Sequence, residues 1–192
     1  RILIASAFKD KNMVGKTLEE ISNRAVMPAE ELILEILKIN ELNVSVFGKT
    51  LSGRNLLKAV AEPGSIISSD GAGYDLDFKR FGDLVHPRSF GAFPRFFGVI
   101  SGKAKISLAE AVAKMTFLQA KALGLKDRGI LRPKNIADIA IFHPDEFKDH
   151  ATYGNPYRYA SGLRALIISG NLAVSNGELA AKRYGLVLRK KS

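Results

Sequence analysis

An α/β chain is predicted, with strand–helix units leading into a β-rich C-terminal portion. Three features of the sequence predict it. Short β-branched stretches alternate with amphipathic helical patterns up to about residue 125. A long Gly-, Asp- and Pro-containing connection runs from Asp70 to Arg88. After Gly129 helical periodicity gives way to short apolar strands with tight-turn signals between them. The expected division is therefore 1–125 for the strand–helix units and 126–192 for a separate small β-rich subdomain.

Taken in order, Ile2 to Ser6 is a short apolar strand, and Thr17-Leu18-Glu19-Glu20 has the spacing of a capping box that opens a helix. Pro28 stands where a second helix can begin, with Leu32, Ile33, Ile36 and Leu37 on its apolar face. Val44 to Phe47 reads as a strand, Ser52 as the cap of a helix carrying Leu56, Leu57 and Val60, and Ser65 to Ser69 as a further strand. This alternation suggests parallel pairing. Ser107-Leu108-Ala109-Glu110 opens another helix that Gly124 stops. Ile136 to Phe142, Leu163 to Ser169 and Leu172 to Val174 are the strands of the last portion, with turns at Gly170-Asn171 and Asn176-Gly177.

Composition removes several classes. The longest apolar runs fall far short of the ~20 residues a membrane helix needs. Cysteine is absent, which excludes disulfides and thiolate metal sites and fits a reducing compartment, so a cytoplasmic location is expected. The net charge of +10 is scattered along the chain apart from Arg189-Lys190-Lys191, which reads as a solvated tail. Neither zinc-finger spacing nor an aromatic RNA-binding signature accompanies the charge, so no nucleic-acid partner is expected.

Two Gly-Lys-Thr triplets, at 15–17 and 48–50, invite a phosphate-loop reading, but the glycine that such a loop needs five positions earlier is Asp10 in one and Asn43 in the other. Both triplets are therefore read as turns ahead of helices. His86, His143 and His150 have no metal-site spacing, so this chain is expected to supply no metal ligands. Asp70 is the candidate catalytic residue: at the end of the Ser65 to Ser69 strand and followed by Gly71, its carboxylate could move a proton from an attacking water to a leaving nitrogen. Equally, an aspartate there could simply cap the next element. Arg88 offers a planar cationic fork suited to a substrate carboxylate, although a loop arginine is commonly a surface residue. The run Phe90 to Phe97 reads as helix core.

Ser68-Ser69-Asp70-Gly71, together with His86-Pro87-Arg88-Ser89-Phe90-Gly91-Ala92-Phe93-Pro94-Arg95, resembles the N-acyl-D-amino-acid deacylases, the D-aminoacylase branch of the amidohydrolase superfamily. Residues 124–133 and Ala137-Asp138-Ile139-Ala140-Ile141-Phe142 resemble that family's passage from its last barrel helix into a small β-domain. The resemblance implies the C-terminal part of a TIM-type (β/α)8 barrel followed by a small β-sandwich subdomain. It also implies a zinc-dependent hydrolase of N-acyl-D-amino acids, in which Asp70 is catalytic and Arg88 grips the substrate carboxylate. The family's metal ligands come largely from earlier strands that this chain does not contain. Zinc is thus expected in the complete enzyme and not in this chain alone, and Lys134-Asn135 stands where the family commonly has a glycine turn. Half a barrel would leave strand edges and a helix face uncovered. The expected partners are an N-terminal half, supplied upstream or by another chain, or a second copy of this one. A noncatalytic remnant or assembly module of the same fold is the competing expectation.

Overall fold

The computed structural model describes residues 2–189, so Lys190 and Lys191 of the basic C-terminal run lie outside the described residues. The chain divides into two compact units, each assembled from three stretches: 1–53, 69–91 and 150–159 in the first, and 54–68, 92–149 and 160–192 in the second.

In the first unit, β1 (Ile2–Ala7) leads through one 3-10 turn into α1 (Leu18–Ala25), α2 (Ala29–Ile39) and β2 (Val44–Gly48). The capping box forms as its spacing predicts: the Thr17 hydroxyl accepts from the Glu20 amide, and the Glu20 carboxylate accepts from the Thr17 amide. Both Gly-Lys-Thr triplets sit ahead of helices, and Gly15 turns the chain with φ of 83° immediately before Thr17. Pro28 directly precedes α2, whose Leu32 and Ile36 join Ile4, Ala7 and Leu18 in the core of the unit. Asn40 is fully buried and fully used: its side-chain oxygen accepts from the amides of Lys9 and Asp10, and its Nδ2 donates to the Ile36 carbonyl. That residue ties the exit of β1 to the end of α2.

β1 and β2 pair antiparallel, with Ile2 opposite Gly48 and Ala7 opposite Val44. The expected parallel pairing is therefore corrected. A single helix between two strands returns the chain for a parallel partner, whereas the successive helices α1 and α2 reverse it twice, so that β2 starts where β1 ends. Glu41 and Leu42, at φ of 53° and 63°, make the sharp turn into β2.

The second unit begins with α3 (Gly53–Ala61). The expected strand at Ser65 to Ser69 does not form. Its central residue finds helical partners instead: the Ile67 amide donates to the Lys114 carbonyl, and the Ile67 carbonyl accepts from the Gln119 side chain. With those backbone groups satisfied by a helix, no sheet neighbour is required. Lys114 closes the same clamp, because its fully buried ammonium donates to the carbonyls of Glu62 and Ser65 and to the Ser65 hydroxyl.

α4 (Arg88–Arg95) contains Pro94 and passes into a π-helical turn at Phe96–Ile100, closed by a bond from the Ser101 amide to the Phe96 carbonyl. Proline in a helix interior removes one rung of the ladder, and the widened turn follows it directly. Phe96 is buried with Val60 and Ala111, as the aromatic run predicts. The Ser107 cap opens α5 (Leu108–Met115), but the expected single helix breaks at Thr116, and α6 (Phe117–Ala122) follows before Gly124 at φ of 72°. Four strands, β3 (Ile139–Phe142), β4 (Leu163–Ile168), β5 (Asn171–Ser175) and β6 (Glu178–Leu179), form an antiparallel sheet in chain order. Its two tight turns have positive φ at both central residues, Ser169-Gly170 and Asn176-Gly177, the geometry that matches strand twist. Lys134 has φ of 74°, a conformation that glycine adopts without steric cost.

Candidate active site

The first unit brings Asp70 and Arg88 together. Asp70 has φ of 45° and lies on an irregular segment, not at a strand end as expected, because the stretch before it is held by helices rather than by a sheet. Gly71 then passes hard against the start of α4: a Cβ on it would stand 2.8 Å from the Ser89 Cα. Only a residue without a side chain permits that approach. It sets the Asp70 carboxylate 3.0 Å from the Arg88 guanidinium, with Asp70 well exposed and Arg88 partly so.

Between the two residues the chain makes a 3-10 turn, Leu76–Phe81, capped by the Asp75 carboxylate and ended by Gly82 in the left-handed conformation. The turn is packed by a ring cluster in which Phe78 meets Tyr74, Phe81 and Tyr157. Tyr157 is buried and donates to the Asp83 carbonyl at 2.7 Å, and burial raises its phenol above the usual value. Phe90, one turn into α4, stacks at an angle on Tyr157 and Tyr159. The connection from Asp70 to Arg88 is thus an ordered scaffold.

Arg88 is the first residue of α4, and its amide donates to His86 Nδ1 at 3.1 Å. Since a backbone amide can only donate, Nδ1 is the acceptor and the ring proton sits on Nε2, facing the Tyr153 hydroxyl at 3.2 Å. Phe47 meets both rings edge-on. Burial lowers the His86 pKa from its ordinary value; the positive charge of Arg88 lowers it further and the Asp70 carboxylate opposes the shift. His86 is therefore neutral near pH 7. Sequence reasoning assigned no role to His86 or Tyr153, which stand 67 positions apart. The one local signal was the imidazole two residues before the arginine.

Asp70, Gly71, His86 and Arg88 line an open cleft of about 420 Å³, with Ser6, Ser45 and Ser89 adding hydroxyls to its wall. It offers a carboxylate able to carry a proton beside a guanidinium able to hold an anion. Among the described residues no group of three or more His, Cys, Asp or Glu side chains is placed to hold a metal ion.

The α/β fold matches part of the structure of D-aminoacylase, an amidohydrolase. A D-aminoacylase structure studied for its binuclear metal centre superposes with a TM-score of 0.82 at 26% identity, covering 99% of this chain and 38% of that one. The N-acyl-D-glutamate deacylase of Bordetella bronchiseptica, solved with zinc and a phosphonate mimic of the tetrahedral intermediate, superposes with a TM-score of 0.79 at 25% identity over 98% of this chain and 37% of that one. Among characterised relatives, the N-acyl-D-aspartate deacylase of Alcaligenes xylosoxydans xylosoxydans is 31% identical over 129 residues, 67% of this chain and 24% of that protein. The N-acyl-D-glutamate deacylase of the same organism is 37% identical over 106 residues, 55% of this chain and 22% of that protein. No family model matches the chain. Its homologues are N-acyl-D-amino-acid deacylases, and the likeness is to their C-terminal portion. The chain spans about a quarter of the length of the relatives it matches in sequence.

Proposed function

We propose that this chain supplies the proton-transferring carboxylate and the carboxylate-gripping arginine of a hydrolase acting on the amide bond of N-acyl-D-amino acids. The observation that carries the reading is the pairing of Asp70 with Arg88 at 3.0 Å in an open cleft, within a fold shared with D-aminoacylase. In the reaction, the Asp70 carboxylate accepts a proton from water as the water oxygen bonds to the amide carbon. It returns that proton to the nitrogen as the C–N bond breaks. The Arg88 fork has five N–H donors, enough to hold a substrate carboxylate while one edge stays with Asp70.

The described residues do not fit a metal site, so no step is assigned to zinc; in this reading zinc is held in the complete enzyme by residues outside this chain. The reading further takes 1–125 as C-terminal units of a (β/α)8 barrel and 126–192 as a small β-sandwich subdomain, in the cytoplasm. Supporting it, the last helix ends at Ala122 and β3 to β6 all follow. The antiparallel β1–β2 ribbon is an elaboration in that barrel rather than two adjacent barrel strands. Exposed apolar side chains in the first unit, Val26, Leu34 and Leu42, support a covering partner, namely the N-terminal portion of the same enzyme or a second copy of this chain.

The test is zinc content and hydrolysis of N-acyl-D- against N-acyl-L-amino acids by the full-length gene product. Asp70→Asn is expected to lower kcat by at least ~100-fold with KM little changed, the usual range for a lost general base. A folded, zinc-loaded protein with no hydrolysis would make the chain a noncatalytic module of this fold.

A further inference from the structure

We propose that His86 is the positioning residue for Arg88: its Nδ1 caps the first amide of α4, and its Nε2 is anchored by Tyr153, so that one imidazole fixes the guanidinium over the cleft. The inference rests on the reading of Arg88 as the group that takes the substrate carboxylate.

Three separated stretches of chain converge on this ring. Arg88 donates to Nδ1 at 3.1 Å, Tyr153 faces Nε2 at 3.2 Å, and Phe47 from β2 packs edge-on with ring centres 5.6 Å apart. An ordinary helix cap needs only a short oxygen acceptor from Ser, Thr, Asp or Asn. An imidazole with both nitrogens engaged holds the first turn more firmly, because it is tethered to two other segments of the unit. Arg88 has no comparable anchor of its own, since its side chain is partly exposed and meets the well-exposed Asp70.

The arrangement works in one protonation state. A proton added to Nδ1 would face the Arg88 amide donor to donor, and the cap would be lost. Three titratable or charged groups face the ring: Arg88, Asp70 and Tyr153. Burial and Arg88 disfavour the added proton and Asp70 favours it, so the capping form persists below the pH at which a free histidine charges.

The experiment measures kcat and KM from pH 5 to 8 on the full-length protein with an N-acyl-D-amino acid, alongside hydrogen exchange of the Arg88 amide. His86→Ala is expected to raise KM about fivefold at pH 8 with kcat little changed, the equilibrium cost of one lost helix cap. His86→Asn keeps an acceptor near the place of Nδ1 and does not titrate in this range; it should restore KM to within about twofold and abolish the acid-side rise in KM of the wild type. Arg88 amide exchange should quicken in His86→Ala and not in His86→Asn. Equal behaviour of the two variants, or a loss confined to kcat, would overturn the proposal. An inactive wild-type protein would sink the deacylase reading instead; unchanged Arg88 exchange in His86→Ala would then refute the cap by itself.

Discussion

Replacing Gly71 by alanine tests how Asp70 is brought to Arg88. The added methyl would stand 2.8 Å from the Ser89 Cα, 3.0 Å from its hydroxyl and 3.2 Å from its amide, where ordinary contact begins near 3.4 Å. Two of those atoms are backbone and the helix start cannot rotate them away, so the segments must separate by roughly half an ångström or more, at about 1–3 kcal/mol of overpacking. The movement opens the 3.0 Å Asp70–Arg88 contact, and a displacement of that order at reacting groups can cost up to ~100-fold in rate. Gly73 supplies the control: a Cβ there meets nothing within 4 Å and its φ is not positive, so Gly73→Ala is expected to be neutral or to stabilise by about 0.4–1 kcal/mol. Urea unfolding of the two variants beside the wild type separates the cases. If Gly71→Ala lost less than about 0.5 kcal/mol, or no more than Gly73→Ala, the close approach would not be what holds Asp70 in place.

Lys114→Met keeps the alkyl stem but leaves the Glu62 and Ser65 carbonyls and the Ser65 hydroxyl without their buried donor; a loss of about 2–4 kcal/mol is expected in the same unfolding assay. Tyr157→Phe removes the bond to the Asp83 carbonyl at about 1 kcal/mol. Because the Tyr157 phenol titrates higher in the folded protein than in the unfolded chain, its contribution is complete below pH 10 and is lost as pH rises through the folded value; Tyr157→Phe should therefore flatten the alkaline limb of stability against pH. Lys134→Gly should raise stability by about 0.5–1 kcal/mol, since it relieves a left-handed lysine at some cost in unfolded-chain entropy; a lower midpoint in thermal unfolding would contradict that.

What the sequence disclosed was local. The Thr17–Glu20 box, the Pro28 helix start and the Asn176-Gly177 turn depend on neighbours within four residues, and each formed as its chemistry requires. What it concealed depends on distant partners. Ser65 to Ser69 has strand composition, yet Ile67 is claimed by Lys114 and Gln119 about 50 positions later. The pairing of β1 with β2 follows from the number of helices between them, not from the strands' own residues. At the candidate site, the motifs singled out Asp70 and Arg88, which lie 3.0 Å apart, whereas the support of Arg88 by His86, Tyr153 and Phe47 draws on three segments whose spacing carries no signature.

The division into two interleaved units has a consequence for synthesis. The unit bearing Asp70 and Arg88 includes 150–159, the stretch with Tyr153 and Tyr157, so a chain emerging from the ribosome cannot complete it until more than three-quarters of these 192 residues have been made. Until then Phe47 lacks Tyr153, and Phe78 and Phe90 lack Tyr157, so part of the packing of each ring waits on those residues. The order of translation thus makes the arrival of Tyr153 and Tyr157 the event that completes the packing around His86 and Phe78.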